Sequence, residues 1–257
     1  MIRVLVLLCL ALPVRAEDMR MAVTTSFENS GLAEVLLPAA RQALDLDVRL
    51  IVVGTGQALR LGAAGDVDAV LVHSLAAEQA WLAQGHGTTR TEIMSNDFIL
   101  IGPAADPAGV SGSRDIETAL TRIATAGAPF LSRGDDSGTH KTERGLWPAP
   151  PSGAWYRETG SGMGSTLNVA AAMGGYVLTD RGSWLNFGNK GDLVVLHQGD
   201  AILLNTYAYL PVNPDKHPAI KALQATRFGA WLTSDEARGL INGYRIDGQP
   251  LFRATQP

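Results

Sequence analysis

The sequence contains a single cysteine among 257 residues, and only 18% of its residues are charged. One cysteine cannot form an internal disulfide, so a disulfide-rich scaffold is excluded. The formal net charge of −4 argues against a nucleic-acid partner, because binding a phosphate backbone usually requires a basic face. Beyond the N-terminus, no apolar run approaches the ~18 residues that a membrane-spanning helix needs. Glycine, in contrast, is abundant: its 28 positions are about 11% of the sequence, against a usual share of ~7%. Glycine is used where the backbone turns tightly or approaches a ligand.

The first sixteen residues have the composition of a secretory signal peptide. A basic start at Arg3 precedes an apolar run over residues 4–14, which is too short to span a bilayer. Val14 and Ala16 occupy the −3 and −1 positions of a signal-peptidase site, which predicts cleavage after Ala16. The mature chain would then have 241 residues, no cysteine and a formal net charge of −6. We therefore expect an exported, periplasmic protein with neither disulfides nor a cysteine nucleophile.

Short apolar runs alternate with helical patterns along the mature chain, which is typical of an α/β protein with mostly parallel sheets. The first three buried strands are predicted at residues 20–23, 48–53 and 69–72, each followed by a helical pattern. Ser30 is predicted to be the N-cap of the helix after the first strand. A later strand is predicted at residues 201–204.

The chain is predicted to cross twice between two domains. The first crossing follows the strand at 98–101, and the segment 205–212 returns the chain to the first domain. Lobe I is accordingly predicted to contain residues 17–101 and 206–257, and lobe II residues 102–205.

Each of the first three strands ends in a turn of hydroxyl, glycine or histidine residues directly before a helix. These turns are Thr24-Thr25-Ser26, Gly54-Thr55-Gly56 and His73-Ser74. Taken singly, such a turn is a good helix cap. Taken together, several helix N-termini aimed at one cleft form an anion site, because their first N–H groups are unsatisfied and carry a partial positive charge. Such a site requires no net positive charge, so an anionic ligand is compatible with an acidic protein.

The densest polar segment is Ser-Arg-Gly-Asp-Asp-Ser-Gly-Thr-His at residues 132–140. Arg133 offers a planar fork of donors that suits a tetrahedral oxyanion. Ser137, Gly138 and Thr139 lie where a helix is predicted to begin, so hydroxyl and backbone N–H groups can converge on the same ligand. The two aspartates between them either orient the guanidinium or accept a proton from a protonated ligand. A surface turn with a solvated Arg–Asp pair is the alternative interpretation.

Enzymatic interpretations of these segments agree poorly with the spacing. A P-loop requires a contiguous Gly-Lys-Ser/Thr sequence, which is absent here. Residues 160–164 lack the third glycine of a dinucleotide turn. They are interpreted as a fourth anion-facing helix start, with a plain loop as the alternative. A cleft hydrolase that uses Ser137 remains the alternative from another class, although nothing pairs a histidine with that serine. The five histidines have no metal-ligand spacing. His73 lies at a strand end and is interpreted as a structural histidine, with a position facing the cleft as the alternative.

Together, these motifs resemble those of the substrate-binding proteins of tungstate ABC transporters. The matching stretches are residues 24–26 with 30–32, 53–59, 65–68, 96–98, 102–103, 106–107, 132–140, 162–164 and 178–181. The resemblance covers nearly the whole mature chain, and the joint occurrence of the motifs is far more specific than any single one. It implies a two-lobed periplasmic-binding-protein-like α/β fold with a cleft between the lobes. The cleft of such a protein holds a dehydrated oxyanion and performs no catalysis.

The resemblance also implies a set of ligand-binding residues. They are Thr25 and Ser26 in the first loop, Thr55 and Gly56 in the second, Arg133, Ser137 and Thr139 in the third, and the backbone of Met163 and Gly164. The expected ligand is tungstate or molybdate, without a metal ion or any other cofactor. The expected partner is an ABC permease with its ATPase at the inner membrane, and the protein is expected to be a monomer.

The residues leave the identity of the anion open. The segment around Arg133 is also similar to that of phosphate-binding proteins. A fully ionised dianion suits a cage made only of donors, whereas phosphate at neutral pH carries a proton and needs an acceptor, which Asp135 or Asp136 would provide. A phosphate- or sulfate-binding protein of the same fold is therefore the alternative. Tungstate and molybdate are tetrahedral dianions of nearly equal radius, so size does not separate them.

Overall fold

The computed structural model describes residues 17–256. The predicted signal peptide and its cleavage after Ala16 lie outside the described residues. Within residues 17–256, no helix is both long enough and apolar enough to cross a membrane.

The first part of the chain alternates strands and helices, as predicted. It contains β1 (Glu17–Thr24), α1 (Thr25–Asn29), α2 (Ala33–Leu44), β2 (Leu46–Val53), α3 (Thr55–Ala64), β3 (Ala69–Val72) and α4 (Leu75–Ala83). Strand β1 pairs in parallel with both β2 and β3. The C-terminal ends of these strands therefore meet at one edge of the sheet, and each end leads into a helix.

The prediction that Ser30 caps the helix after β1 is wrong. That helix is divided in two: Ser30 ends α1, and α2 follows Leu32 without a side-chain cap. The Ser30 hydroxyl donates instead to the Phe27 carbonyl at 2.6 Å, which also accepts from the Ser30 backbone N–H at 3.2 Å, so both donors of Ser30 close the end of α1.

The rest of the chain contains the second lobe and the C-terminal segment. Its elements are β4 (Thr91–Pro103), α5 (Ile116–Ala126), β5 (Phe130–Ser132), α6 (Gly138–Leu146), β6 (Tyr156–Glu158), α7 (Met163–Met173), β7 (Val177–Asp180), α8 (Arg181–Asn186), β8 (Leu193–His197), a 3₁₀ turn (Ala201–Leu203), β9 (Leu204–Pro211), α9 (Ala222–Leu232), α10 (Asp235–Gly243), β10 (Arg245–Ile246), β11 (Gln249–Pro250) and β12 (Arg253–Ala254). The strand predicted at 201–204 is therefore wrong, because residues 201–203 form a 3₁₀ turn and the strand begins at Leu204.

Two long strands connect the lobes. Residues 91–97 of β4 pair with β9, whereas residues 98–103 pair with β7 and β8. Strand β9 in turn pairs with β3, so it returns the chain to the sheet of β1 and β2. The predicted lobe boundaries at 101/102 and 205/206 thus fall inside continuous strands, and they remain predictions.

The two-lobed α/β fold is confirmed, but the strand pairing is mixed rather than mostly parallel. Parallel pairing joins β1 to β2 and β3, and β5 to β6. All pairings of β4 and β9 are antiparallel. The reason is topological: β4 carries the chain out of one lobe and β9 carries it back alongside, so the two must run in opposite directions.

Both lobes have an apolar core. The core of lobe II contains α5 residues such as Leu120 and Ile123, which pack with Phe130 and Tyr176. Two further clusters cover the two faces of the β1–β3 sheet, because alternate residues of a strand point to opposite faces. These cores hold the carboxyl ends of β1, β2, β3 and β5 in fixed positions around the cleft.

Candidate anion-binding site

The first loop of the site follows β1. Thr24 is the N-cap of α1, and its Oγ1 accepts a hydrogen bond from the Phe27 N–H at 3.3 Å. Thr25 is exposed, whereas Ser26 is buried. The Ser26 hydroxyl has three protein partners: Thr24 Oγ1 at 3.0 Å, His73 Nε2 at 2.9 Å and the Tyr207 hydroxyl at 3.3 Å. Ser26 is thus placed at the site, but its hydroxyl is already hydrogen-bonded to these three protein groups.

The second loop follows β2 and starts α3. Gly54 occupies the N-cap position, and Thr55 is the first helical residue. Thr55 is only 3% exposed, yet its Oγ1 has no hydrogen-bond partner among the described residues. A buried hydroxyl without a hydrogen-bond partner costs free energy, so this atom marks a place where a polar group of a ligand would bind favourably.

The third loop follows β5 and supplies the positive charge. Arg133 is 8% exposed, and its Nε donates to Asp135 Oδ2 at 3.0 Å while Nη2 donates to the same oxygen. These bonds use two of the five guanidinium N–H groups and leave three for a ligand. Burial raises the pKa of a carboxyl, but hydrogen bonds from Ser137 and Arg133 outweigh it here and hold the Asp135 pKa below its ordinary value. Asp135 is therefore ionised and orients Arg133.

Helix α6 begins directly after this loop. Ser137 is its N-cap, with Oγ accepting from the His140 N–H at 3.3 Å, and Thr139 is 2% exposed. Asp136 lines the wide outer cleft, where its side chain is 84% exposed and forms an ion pair with Lys141 at 3.3 Å. Of the two aspartates considered as proton acceptors, one is therefore engaged by the arginine and the other faces solvent.

A buried carboxylate fixes α6 against the strands of lobe II. Glu143 is 3% exposed and accepts hydrogen bonds from the Ser132 hydroxyl, the Trp147 indole and the Tyr156 hydroxyl. Ser132 immediately precedes Arg133, so this cluster sets the distance between the arginine loop and the start of α6.

These loops line a small pocket of about 10 Å³. It is lined by Thr24, Thr25, Ser26, Gly54, Thr55, His73, Arg133, Ser137, Gly138 and Thr139. No carboxyl group is among these lining residues. The two lobes approach closely here: a Cβ built on Gly138 would lie 3.2 Å from Thr55 Oγ1 and 3.1 Å from His73 Cε1.

A wider cleft of about 640 Å³ continues outward from the pocket. Thr25, Thr55, Arg133 and Ser137 line both spaces, whereas Gly56, Met163 and Gly164 line only the wide cleft. Ser26 and Thr139 line only the pocket. The structure thus brings all nine predicted ligand-binding residues to one continuous opening between the lobes. Their contact with an anion remains a prediction.

Two further residues lie at the pocket beside the nine predicted ligand-binding residues. His73, for which a position facing the cleft was the alternative to a structural role, lines the pocket and is 8% exposed. Gly138 was predicted to present its backbone N–H to an oxyanion, and the structure adds that the absence of a side chain there permits the close approach of the lobes. The position of His73 at the end of a strand, beside a hydroxyl residue, was the available signal.

The fold and the donor-lined cleft define a two-lobed ligand-binding protein, and comparison with known proteins agrees. The family model described as "PBP superfamily domain" matches residues 15–236. The tungstate-binding protein TupA of Peptoclostridium acidaminophilum is 42% identical over 239 residues, which cover 90% of this chain and 84% of that protein.

Solved structures extend the comparison. The tungstate-binding protein TupA of Desulfovibrio alaskensis superposes with a TM-score of 0.85 at 43% identity, covering 94% of this chain and 100% of that chain. A structure described as the tungstate ABC transporter from Geobacter sulfurreducens gives a TM-score of 0.83 at 44% identity, covering 89% of this chain and 99% of that chain. The chain therefore belongs to the family of tungstate-binding substrate-binding proteins of ABC transporters.

Proposed function

We propose that this protein binds tungstate between its two lobes and delivers it to an ABC permease. The observation that carries the proposal is the small pocket between the lobes, which is lined by both the buried Arg133 and Thr55, whose hydroxyl has no partner among the described residues. Donors from lobe I and lobe II meet there, so the cage is complete only when the lobes are close together. Binding would then shift an equilibrium between open and closed forms toward the closed form.

The polarity of the pocket favours a fully ionised anion. Its lining offers hydroxyl, guanidinium and backbone N–H donors and no carboxyl acceptor. Phosphate at neutral pH carries a proton, and the pocket lining offers only hydroxyl oxygens to accept it, which are weaker acceptors than a carboxylate. Tungstate, molybdate and sulfate carry no proton at this pH. The names of the relatives single out tungstate among these dianions.

Calorimetric titration of the purified protein with tungstate, molybdate, sulfate and phosphate tests this proposal. We expect saturable tungstate binding with one site per chain, and phosphate binding weaker by at least about 10-fold, the loss expected for one unmet hydrogen bond to a charged group. Tight phosphate binding without tungstate binding would support the phosphate-binding alternative and contradict the proposal.

We place the protein in the periplasm, after cleavage behind Ala16, as a monomer that presents the anion to a permease–ATPase pair at the inner membrane. It performs no catalysis: the hydroxyl of Ser137 is used as a helix cap. Turnover of a chromogenic ester that is lost in Ser137→Ala would favour the hydrolase alternative instead.

Gly138→Ala is expected to weaken tungstate binding by about 10-fold. The added Cβ would lie 3.1–3.2 Å from His73 and Thr55, so it would hold the lobes apart, and such overpacking typically costs ~1–3 kcal/mol. Calorimetry measures the change in affinity. Gly145→Ala in the same helix is the matched control, because nothing lies within 4 Å of its Cβ and alanine is the better helix former at both positions. Equal affinities of the two variants would show that the lobes do not close at Gly138.

A further inference from the structure

His73 lies at the inner wall of the anion pocket. It follows β3 directly, is 8% exposed, and its ring centroid lies 4.7 Å from that of Tyr207. Nε2 contacts the Ser26 hydroxyl at 2.9 Å, whereas Nδ1 has no hydrogen-bond partner among residues 17–256. Nδ1 and Thr55 Oγ1 both lie within 3.5 Å of the point where a Cβ on Gly138 would be. Two unpartnered polar atoms from different loops therefore face the same part of the pocket.

The hydrogen bonds behind His73 determine which ring nitrogen carries the proton. Tyr207 donates to the Ser26 hydroxyl oxygen. Thr24 Oγ1 already accepts from the Phe27 N–H, and its own proton has Ser26 Oγ, 3.0 Å away, as its partner. With two donors pointing at its oxygen, Ser26 donates its proton to His73 Nε2. Nε2 is then an acceptor, which leaves the imidazole proton on Nδ1.

The opposite tautomer of His73 leaves more polar groups without a hydrogen-bond partner. If Nε2 carried the proton and donated to Ser26, the Ser26 proton would go to Thr24, and the Thr24 proton would have no acceptor. The bare lone pair of Nδ1 would then face a pocket that also contains the Arg133 side chain and no carboxyl group. A lone pair at that position repels an anion, whereas an N–H group attracts one.

We propose that His73 is an additional anion-binding residue, whose neutral imidazole donates Nδ1–H to an oxygen of the bound dianion. The inference rests on the proposed function and adds a specific donor to it. The relay from Tyr207 through Ser26 to His73 also gives the Ser26 hydroxyl a role: it orients the histidine from behind and does not itself bind the ligand.

The charge state of His73 agrees with this role. Burial lowers its pKa to about 4, and the positive charge of Arg133 acts in the same direction, whereas the nearby Asn205 amide acts in the opposite one. The ring is therefore neutral at pH 7 and has a single proton. The Asn205 side chain is the other group that could accept the Nδ1 proton, so the test must distinguish Asn205 from the ligand as its acceptor.

Two amide substitutions at His73 distinguish the contributions of the two ring nitrogens to tungstate binding. In His73→Asn the amide nitrogen can take the place of Nδ1, whereas in His73→Gln it reaches only the place of Nε2. We expect tungstate affinity to fall by about 10- to 100-fold in His73→Gln, the range for losing a hydrogen bond to a charged group, and by less than about 10-fold in His73→Asn. Both variants should keep the circular dichroism spectrum of the native protein. Equal losses in the two variants, or unchanged affinity in both, would contradict the inference.

Nitrogen-15 NMR of the intact wild-type protein reads the tautomer directly and does not depend on substitution. We expect His73 to be protonated at Nδ1 at pH 7, and the Nδ1 resonance to move on addition of tungstate. An Nε2-protonated ring in a protein that binds tungstate would overturn this inference and leave the proposed function intact. An Nδ1 resonance that does not move, in a protein that binds tungstate, would assign the proton to Asn205 and also overturn it. Failure of the wild-type protein to bind tungstate would contradict the proposed function itself.

Discussion

Arg133→Ala is expected to weaken tungstate binding by at least about 2 kcal/mol, or roughly 30-fold. The guanidinium is the only cationic side chain among the lining residues of the enclosed pocket. It is 8% exposed, so its hydrogen bonds to an anion form in a largely desolvated environment. The substitution also leaves the ionised Asp135 at the mouth of the pocket without its partner. Unchanged affinity in calorimetry would contradict the assignment of Arg133.

Two further variants identify the source of this effect. Arg60→Ala removes an equal charge from the wide cleft, outside the enclosed pocket, and should change the affinity by less than about 1 kcal/mol. Arg133→Lys keeps the charge but loses the planar fork of donors, and an intermediate affinity is expected. Equal losses in Arg60→Ala and Arg133→Ala would indicate that net charge, and not direct contact, holds the anion.

Glu143→Ala is expected to have the largest effect on stability, lowering the free energy of unfolding by about 3 kcal/mol or more. The buried donors of Ser132 and Trp147 and the half-buried Tyr156 hydroxyl would lose their common acceptor, and each unsatisfied buried donor is costly. Chemical denaturation followed by circular dichroism measures this loss. Glu117→Ala on the exposed face of α5 is the control and should cost less than about 1 kcal/mol. Similar losses for the two variants would contradict a structural role for Glu143.

The same carboxyl should contribute to the pH dependence of stability. Burial raises the pKa of Glu143 above its ordinary value of 4.5, against the opposing effect of its three hydrogen bonds. The folded protein therefore holds this proton more tightly than the unfolded chain, so this contribution to stability is present below the ordinary pKa and is lost as the pH rises through the raised value. Glu143→Gln should remove that part of the slope, which denaturation at several pH values will measure.

Local patterns were sufficient to predict most of the fold. Buried strands such as 69–72 are short apolar runs between polar turns, and the helix at 116–126 has both an N-cap residue and a terminal glycine. The pairing partners of β4 and β9 could not be predicted in this way, because they depend on where distant segments lie. Ser30 was misassigned because a helix-capping residue type can equally well end a preceding helix, where its hydroxyl donates to a carbonyl of the last turn.

The site was predictable to the extent that it depends on parallel strand ends. Turns after buried strands and a dense polar loop drew attention to Thr25, Thr55 and Arg133, the family resemblance implied that they bind the ligand, and the structure places all three at the pocket. The engagement of the Ser26 hydroxyl could not be predicted, since it requires His73 from β3 and Tyr207 from β9, which are 47 and 181 residues away in the chain. The sequence therefore indicates which residue types surround the anion, whereas the tertiary structure decides which hydroxyl groups are free to contact it.

Anomalous X-ray diffraction from crystals grown with tungstate tests the central claim most directly, because tungsten scatters far more strongly than any protein atom. The structure predicts one strong tungsten peak per chain, enclosed between the lobes within hydrogen-bonding reach of Thr55 from lobe I and of Arg133 and Thr139 from lobe II. A peak confined to the outer cleft or the protein surface, with the enclosed pocket free of tungsten at saturating tungstate, would contradict the assignment of this pocket as the anion-binding site.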